Sequence, residues 1–205
     1  MDIDPLLILA ATTSDRPLFV NPLDKRSEAT AVRHKLSNAT DSDQFAIING
    51  FRGTREAKWP SNISQAKRYA SDNFIHFNAF TESDKVMAQI VKVFVEAGLL
   101  ADDSLDPRTH EYGGEELNTH SEWNSIIKAA MIVGYHPNLA VLQTASKGRD
   151  QGSGRFLRSA RHRVTELHPS SLNTKRAREE QHEKGSIFTF AELAKSSDGS
   201  ITFLR

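Results

Sequence analysis

"SDKVMAQIVKVFVEAG", residues 83–98, decides the first part of the fold. Val86, Ile90, Val93 and Phe94 recur three and four apart, the period of an α-helix with one apolar face. Ser83 offers a capping hydroxyl, and Gly98 suits the left-handed position after a helix end. A helix over 83–97 is expected, with that face against a core. Upstream, "ISQAKRYASD" predicts a helix near 63–73, followed by a turn or short helix over 74–80. "DSDQFAIINGFRGTREAK", from Asp41, reads as a helix start followed by Phe45, Ile48 and Phe51 at helical spacing. In "KRSEATAVRHKLS", Ala29, Val32 and Leu36 point inward and Lys25, Arg33 and Lys35 outward. Asp4 before Pro5 reads as a cap and first helical residue for "LLILAATT", and "PLFVNP" between two prolines is extended.

Downstream the pattern changes. Residues 101–118, "ADDSLDPRTHEYGGEELN", are acidic and broken by Pro107 and Gly113–Gly114, which predicts a mobile surface connection. A last helix is capped at Thr119 or Ser121, carries Trp123, Ile126, Ile127 and Ala130 inward, and stops near Gly134 before Pro137. Beyond it, "RHRVTELHPSSLN", "GSIFTFAELAKS" and "GSITFLR" are short β-prone runs between Ser, Gly and Asn turns. The expected architecture is a mainly α helical domain over 1–142 followed by a small β domain over 143–205.

Charge follows the same division. Residues 1–142 carry 14 Lys/Arg against 19 Asp/Glu, and residues 143–205 carry 12 against 7, so a net charge of zero hides a basic C-terminal third. Arg155, Arg158, Arg161 and Arg163 fall within nine residues, and Lys175, Arg176 and Arg178 follow "HPSSLN". A local field of this kind attracts phosphate whatever the total charge, because screening confines it to about 10 Å. Guanidinium forks match phosphate oxygens, and small barrels of the oligonucleotide-binding type grip single strands with basic loops. These seven residues are the candidate nucleic-acid contacts. The acidic helical part reads as a scaffold or docking face.

Other chemistry is not signalled. The chain has no cysteine, which excludes disulfides, thiol catalysis and Cys-rich zinc sites. Its longest apolar runs fall short of the roughly 18 residues that cross a bilayer, so no membrane partner is expected. No Gly-Lys-Ser/Thr loop cradles nucleotide phosphates, and "GRDQGSG" has the wrong spacing for one. The eight histidines lack metal-ligand spacing. Asp102, Asp103, Asp106, Glu111, Glu115 and Glu116 lack the register of a calcium loop. His168 beside Ser170 and Ser171 reads as a turn set by Pro169 rather than a nucleophile and its base. Catalytic, cofactor and metal residues are therefore expected to be absent.

Several stretches in order resemble the C-terminal accessory region of the DEAH/RHA-type ATP-dependent RNA helicases: "DPLLILAATTSDRPLFVNPLDKRSEA" (4–29), "SDQFAIINGFRGTREA" (42–57), "YASDNFIHFNAF" (69–80), "IIKAAMIVGYHPNLAVL" (126–142) and "VTELHPSSLN" (164–173). The resemblance implies a helicase-associated, ratchet-like helical domain followed by an oligonucleotide-binding β-barrel, complete or short of its closing strands. In that family both parts pack against the motor domains and help hold single-stranded RNA. Thr54 stands where the family commonly has Trp, and Asn78 where it has Arg. The motor domains are not in this sequence, so ATP and magnesium are implied only for a motor core in a longer parent or a partner, and this chain alone is expected not to be an enzyme. The expected role is an RNA-binding accessory module of such a helicase, intracellular, in nucleus or cytoplasm. Its expected partners are single-stranded RNA, motor domains in cis or in trans, and a protein cofactor. The alternative is a structural module that docks to a helicase core without binding RNA itself.

Overall fold

In the computed structural model the described residues are 2–13, 16–40, 42–103, 105–144, 155–160, 165–174, 185–195 and 202–204. They contain the helices α1 (Ile3–Ala11), α2 (Arg26–Leu36), α3 (Asp43–Lys58), α4 (Ile63–Asp72), α5 (Phe77–Glu96) and α6 (Asn124–Tyr135). Six short strands follow: β1 (Leu139–Thr144), β2 (Arg155–Ser159), β3 (Glu166–Leu167), β4 (Ile187–Thr189), β5 (Leu193–Lys195) and β6 (Thr202–Leu204). The chain divides into two compact units, Met1–Ile127 and Lys128–Arg205, and the division falls within α6.

In the helical unit, α1 packs on α3 and α5, and α3 packs on α2 and α4. Leu7, Ile8, Phe45, Ile48, Phe51, Ala66, Phe80 and Met87 are buried together with an Asp–Arg pair. Phe51 and Phe80 meet with ring centroids 4.8 Å apart, the tilted geometry that aromatic quadrupoles favour. Phe19 bridges Ile75 in an antiparallel pairing, with His76 N–H donating to Leu18 O at 2.7 Å, so the extended "LFV" segment is tied down as a short strand.

Three local expectations change. α5 begins at Phe77, six residues before Ser83, and its first turn is capped by His76 Nδ1 accepting from Ala79 N–H at 3.3 Å. Its buried face is therefore Phe80, Ser83, Met87 and Val91, while Val86 and Val93 are exposed. At about 100° per residue these two valines lie one strip away from the core line. Asp4 is not a helix cap: it lies inside α1, wholly buried, and pairs with Arg55. Trp123 is 60% exposed, whereas Ile127 on α6 is buried as expected. Gly98 adopts φ +71° after α5, the left-handed end the sequence predicts.

Residues 101–118 are packed in their second half rather than solvated. Leu105 bridges Tyr112, and Glu111, Tyr112 and Asn118 are buried. Asn118 Oδ1 accepts from Asp4 N–H at 2.9 Å while its amide donates to Tyr112 O and Gly114 O at 2.8 Å. Gly113 turns the chain at φ +81°, where a Cβ would lie 3.0 Å from Ile3 Cγ2. Glycine here allows a close approach, where its pairing with Gly114 had suggested a mobile break.

In the second unit, β1 lies between β2 and β4, antiparallel to both. β6 lies between β3, which it meets in parallel, and β5, which it meets antiparallel. The two three-stranded sheets join at a Leu157–Thr165 bridge, with N–H to O bonds of 2.9 Å in both directions. They join again through the short bend Phe190–Ala191–Glu192 between β4 and β5. Ala140, Leu142, Leu157 and Phe190 are buried together, with Leu167, Phe188 and Leu193 packed against them. The expected change from helices to a small β unit holds, and β4 and β5 lie at the outer edges of their sheets with no ladder between them among the described residues.

Candidate nucleic-acid interface

Strand alternation sorts β2 into two faces. Leu157 and Ser159 are buried, and Arg158 is exposed between them. Val141 on β1 is the register partner of Arg158 on one side and of Ile187 on the other. Arg158, Val141 and Ile187 therefore form one row across the outer face of the sheet, and Ile187 is 62% exposed. Half-buried Phe156 and its partner Gln143 form the next row on the same face. A cation beside exposed aliphatic and aromatic surface suits a ligand with both an anionic backbone and flat apolar faces.

Of the other predicted contacts, Arg155 opens β2 opposite Thr144. Arg161, Arg163, Lys175, Arg176 and Arg178 lie outside the described residues. The described structure thus places Arg158 alone among the seven as an exposed side chain, and it adds Phe156, Val141 and Ile187, which charge counting missed. The signal was present in the alternation of "RFLRS" and "SIFTF".

Behind this sheet, a cavity of about 300 Å³ opens where the start of β1, the end of β2 and the β4–β5 bend meet. Pro137, Asn138, Ser159, Phe190, Glu192 and Leu193 are among the residues that line it. The "HPSSLN" segment forms the expected turn: His168 O accepts from Ser171 N–H and Thr174 Oγ1 at 2.8 Å, and His168 Nδ1 lies 2.6 Å from Ser170 Oγ. The His–Ser contact is an internal bond of this turn.

The helical unit buries one cluster of charge. Arg55 donates to both Asp4 oxygens, at 2.9 and 2.7 Å, in a bidentate pair. Arg52 Nε lies 3.5 Å from Asp4, and Arg52 also pairs with Glu111 and with exposed Glu122. Burial pushes the Glu111 carboxyl up from its ordinary value, and Arg52 opposes that rise. Asp106 is held low by the N–H groups of Arg108 and Thr109, which donate to its Oδ1 at 2.7 and 3.2 Å. Thr54, at the position where the family commonly has Trp, is fully buried and donates to Gly50 O at 2.8 Å. Asn78 is exposed in the first turn of α5.

Among the described residues no three His, Asp or Glu side chains group as metal ligands, and no helix is long and apolar enough to cross a membrane.

No family model matches the chain. It is 28% identical over 171 residues to the ATP-dependent DNA/RNA helicase DHX36 of Bos taurus, covering 83% of this chain and 16% of that protein. It is 30% identical over 141 residues to DHX36 of Homo sapiens, covering 69% of the chain and 13% of that protein. Over 173 residues it is 24% identical to the ATP-dependent RNA helicase DHX29 of Homo sapiens, covering 83% of the chain and 12% of that protein. The chain is a helicase-related region of the DEAH/RHA type. It spans between 12% and 16% of the length of these helicases. The match to bovine DHX36, at 171 residues, is longer than the 127-residue helical unit, so the helicase relationship takes in part of both units.

Proposed function

We propose that this chain is an RNA-binding accessory module of an ATP-dependent DExH-type helicase, with the division at residue 142 separating a helicase-associated helical part from an oligonucleotide-binding β part. The observation that carries the proposal is the helicase relationship across both units. The two small sheets linked by the Leu157–Thr165 bridge, with a parallel β3–β6 contact, support the oligonucleotide-binding reading, and the row Arg158–Val141–Ile187 supports a strand-contacting face. On this reading Arg155, Arg158, Arg161, Arg163, Lys175, Arg176 and Arg178 neutralise phosphates of single-stranded RNA. The module is intracellular, in nucleus or cytoplasm, and contributes no catalytic or cofactor residue. ATP and magnesium are bound by motor domains in a longer parent or a partner, where a protein cofactor also docks.

The test is fluorescence-anisotropy titration of the full chain with labelled single-stranded RNA and DNA over a range of salt, alongside a variant with Arg155, Arg158, Arg161 and Arg163 reversed to Glu. Binding that weakens with salt and is lost in the variant is expected. A chain that binds no strand even at low salt overturns the proposal. It would favour the second reading, a module that docks to a helicase core without RNA affinity, to which exposed Val86, Val93 and Leu99 on the helical unit already point.

A further inference from the structure

The cavity in the β unit has a size and a lining that the proposed phosphate contacts do not use. Its volume of about 300 Å³ lies within the range of small-molecule sites and exceeds what one nucleobase needs. Phe190, 5% exposed, forms an inner aromatic wall, and Pro137 and Leu193 give further apolar surface. Three polar side chains interrupt this lining: Asn138, Ser159 and Glu192.

Asn138 is clamped to the β4–β5 bend. Its carbonyl accepts from Phe190 N–H at 3.2 Å, and its side-chain amide donates to Ala191 O at 3.3 Å. That donation fixes the amide with its nitrogen toward Ala191, which leaves the acceptor Oδ1 on the other side. The Glu192 carboxylate accepts through about four lone-pair directions, so it can take a further donor whatever else it engages. A cavity lined by a carboxylate repels phosphate. It suits an uncharged flat group whose edge carries N–H donors.

We infer that this cavity takes one splayed-out, amino-bearing nucleobase of the bound single strand, with Glu192 and Asn138 accepting from its exocyclic amino group against Phe190. Cytosine, adenine and guanine each present an exocyclic amino group to those acceptors. Uracil presents one N–H flanked by two carbonyls that face the carboxylate unfavourably. The inference rests on the RNA-binding reading and adds base preference to it.

The experiment is anisotropy titration of the full chain at fixed salt with labelled oligo(rC), oligo(rU) and oligo(rA) of about eight nucleotides, a length that one small barrel spans. Cytosine against uracil is the decisive pair, because both are pyrimidines. Oligo(rC) is expected to bind about tenfold tighter than oligo(rU), the scale of one good edge contact. Glu192→Gln should bring that ratio to about two or less, by lowering oligo(rC) affinity and raising oligo(rU) affinity as the repulsion of the uracil carbonyls is relieved, and an unchanged far-ultraviolet circular dichroism spectrum reports that the variant is folded. Ala191→Trp, at an exposed lining position, should lower oligo(rC) binding to the oligo(rU) level by filling the cavity. Equal affinities for the three strands, or a cytosine preference that survives both variants, overturns the base pocket while RNA binding stands. Failure of every strand to bind overturns the RNA-binding reading and the pocket with it.

Discussion

Asp4 is the residue on which the helical unit's polar core turns. Its carboxylate accepts from both Arg55 nitrogens and from Tyr112 N–H at 3.2 Å, and it has no exposed surface. Removing one partner of such a pair leaves the other charge buried and uncompensated. Asp4→Ala is therefore expected to destabilise the unit by about 3–5 kcal/mol in urea unfolding. Glu111 shows the opposite balance. Its carboxyl holds a proton at higher pH than in the unfolded chain, because burial outweighs the attraction of Arg52. Between the two pKa values the folded state binds more protons, so stability contributed by this group falls as pH rises and the buried charge is a cost at neutral pH. The stability of the wild type relative to Glu111→Gln should then rise as pH falls through the folded pKa and level off below the ordinary glutamate range. Paired denaturation curves across that window check the sign.

At the scale of elements, α5 shows how a correct helix can be given the wrong face. Taking Ser83 as the cap discards Phe77 to Thr81, and with them Phe80, whose burial against Phe51 sets the rotation of the whole helix. Val93→Lys should accordingly change stability by less than about 0.5 kcal/mol, and Met87→Ala should cost about 2–5 kcal/mol, as read from urea midpoints. The reverse result would restore the Val86–Val93 face to the core. Helix existence was legible because apolar spacing and end signals are local. Helix rotation was not, because the cap is a histidine nitrogen, and because residues 105–118 carry buried partners for Asp4 and Arg52 from the far end of the unit.

For the molecule as a whole, the segregation of charge remains the feature that sequence reading reached first and that the candidate site uses. Alternation in "RFLRS" and "SIFTF" then places Arg158 and Ile187 on the outer face and Ser159 and Phe190 inward. The cavity could not be read in this way. Its wall joins residues 137–138, 159–160 and 190–193, which meet only once the sheets are paired. In the RNA titration this separation has a readable consequence: loss of Arg158 alone should lower the salt slope by about one, whereas loss of Glu192 should leave the slope unchanged.

The order of the strands also dictates an order of assembly. β1 pairs with β2 across a short stretch of chain, but its other edge waits for Phe188, which lies 48 residues beyond Ala140. Loop-closure entropy makes such a pairing slow compared with packing of neighbouring helices. During synthesis the helical unit can finish folding while the free edge of β1 is still open. That interval, more than the stability of the finished unit, is when the chain is most exposed to pairing with another copy of itself.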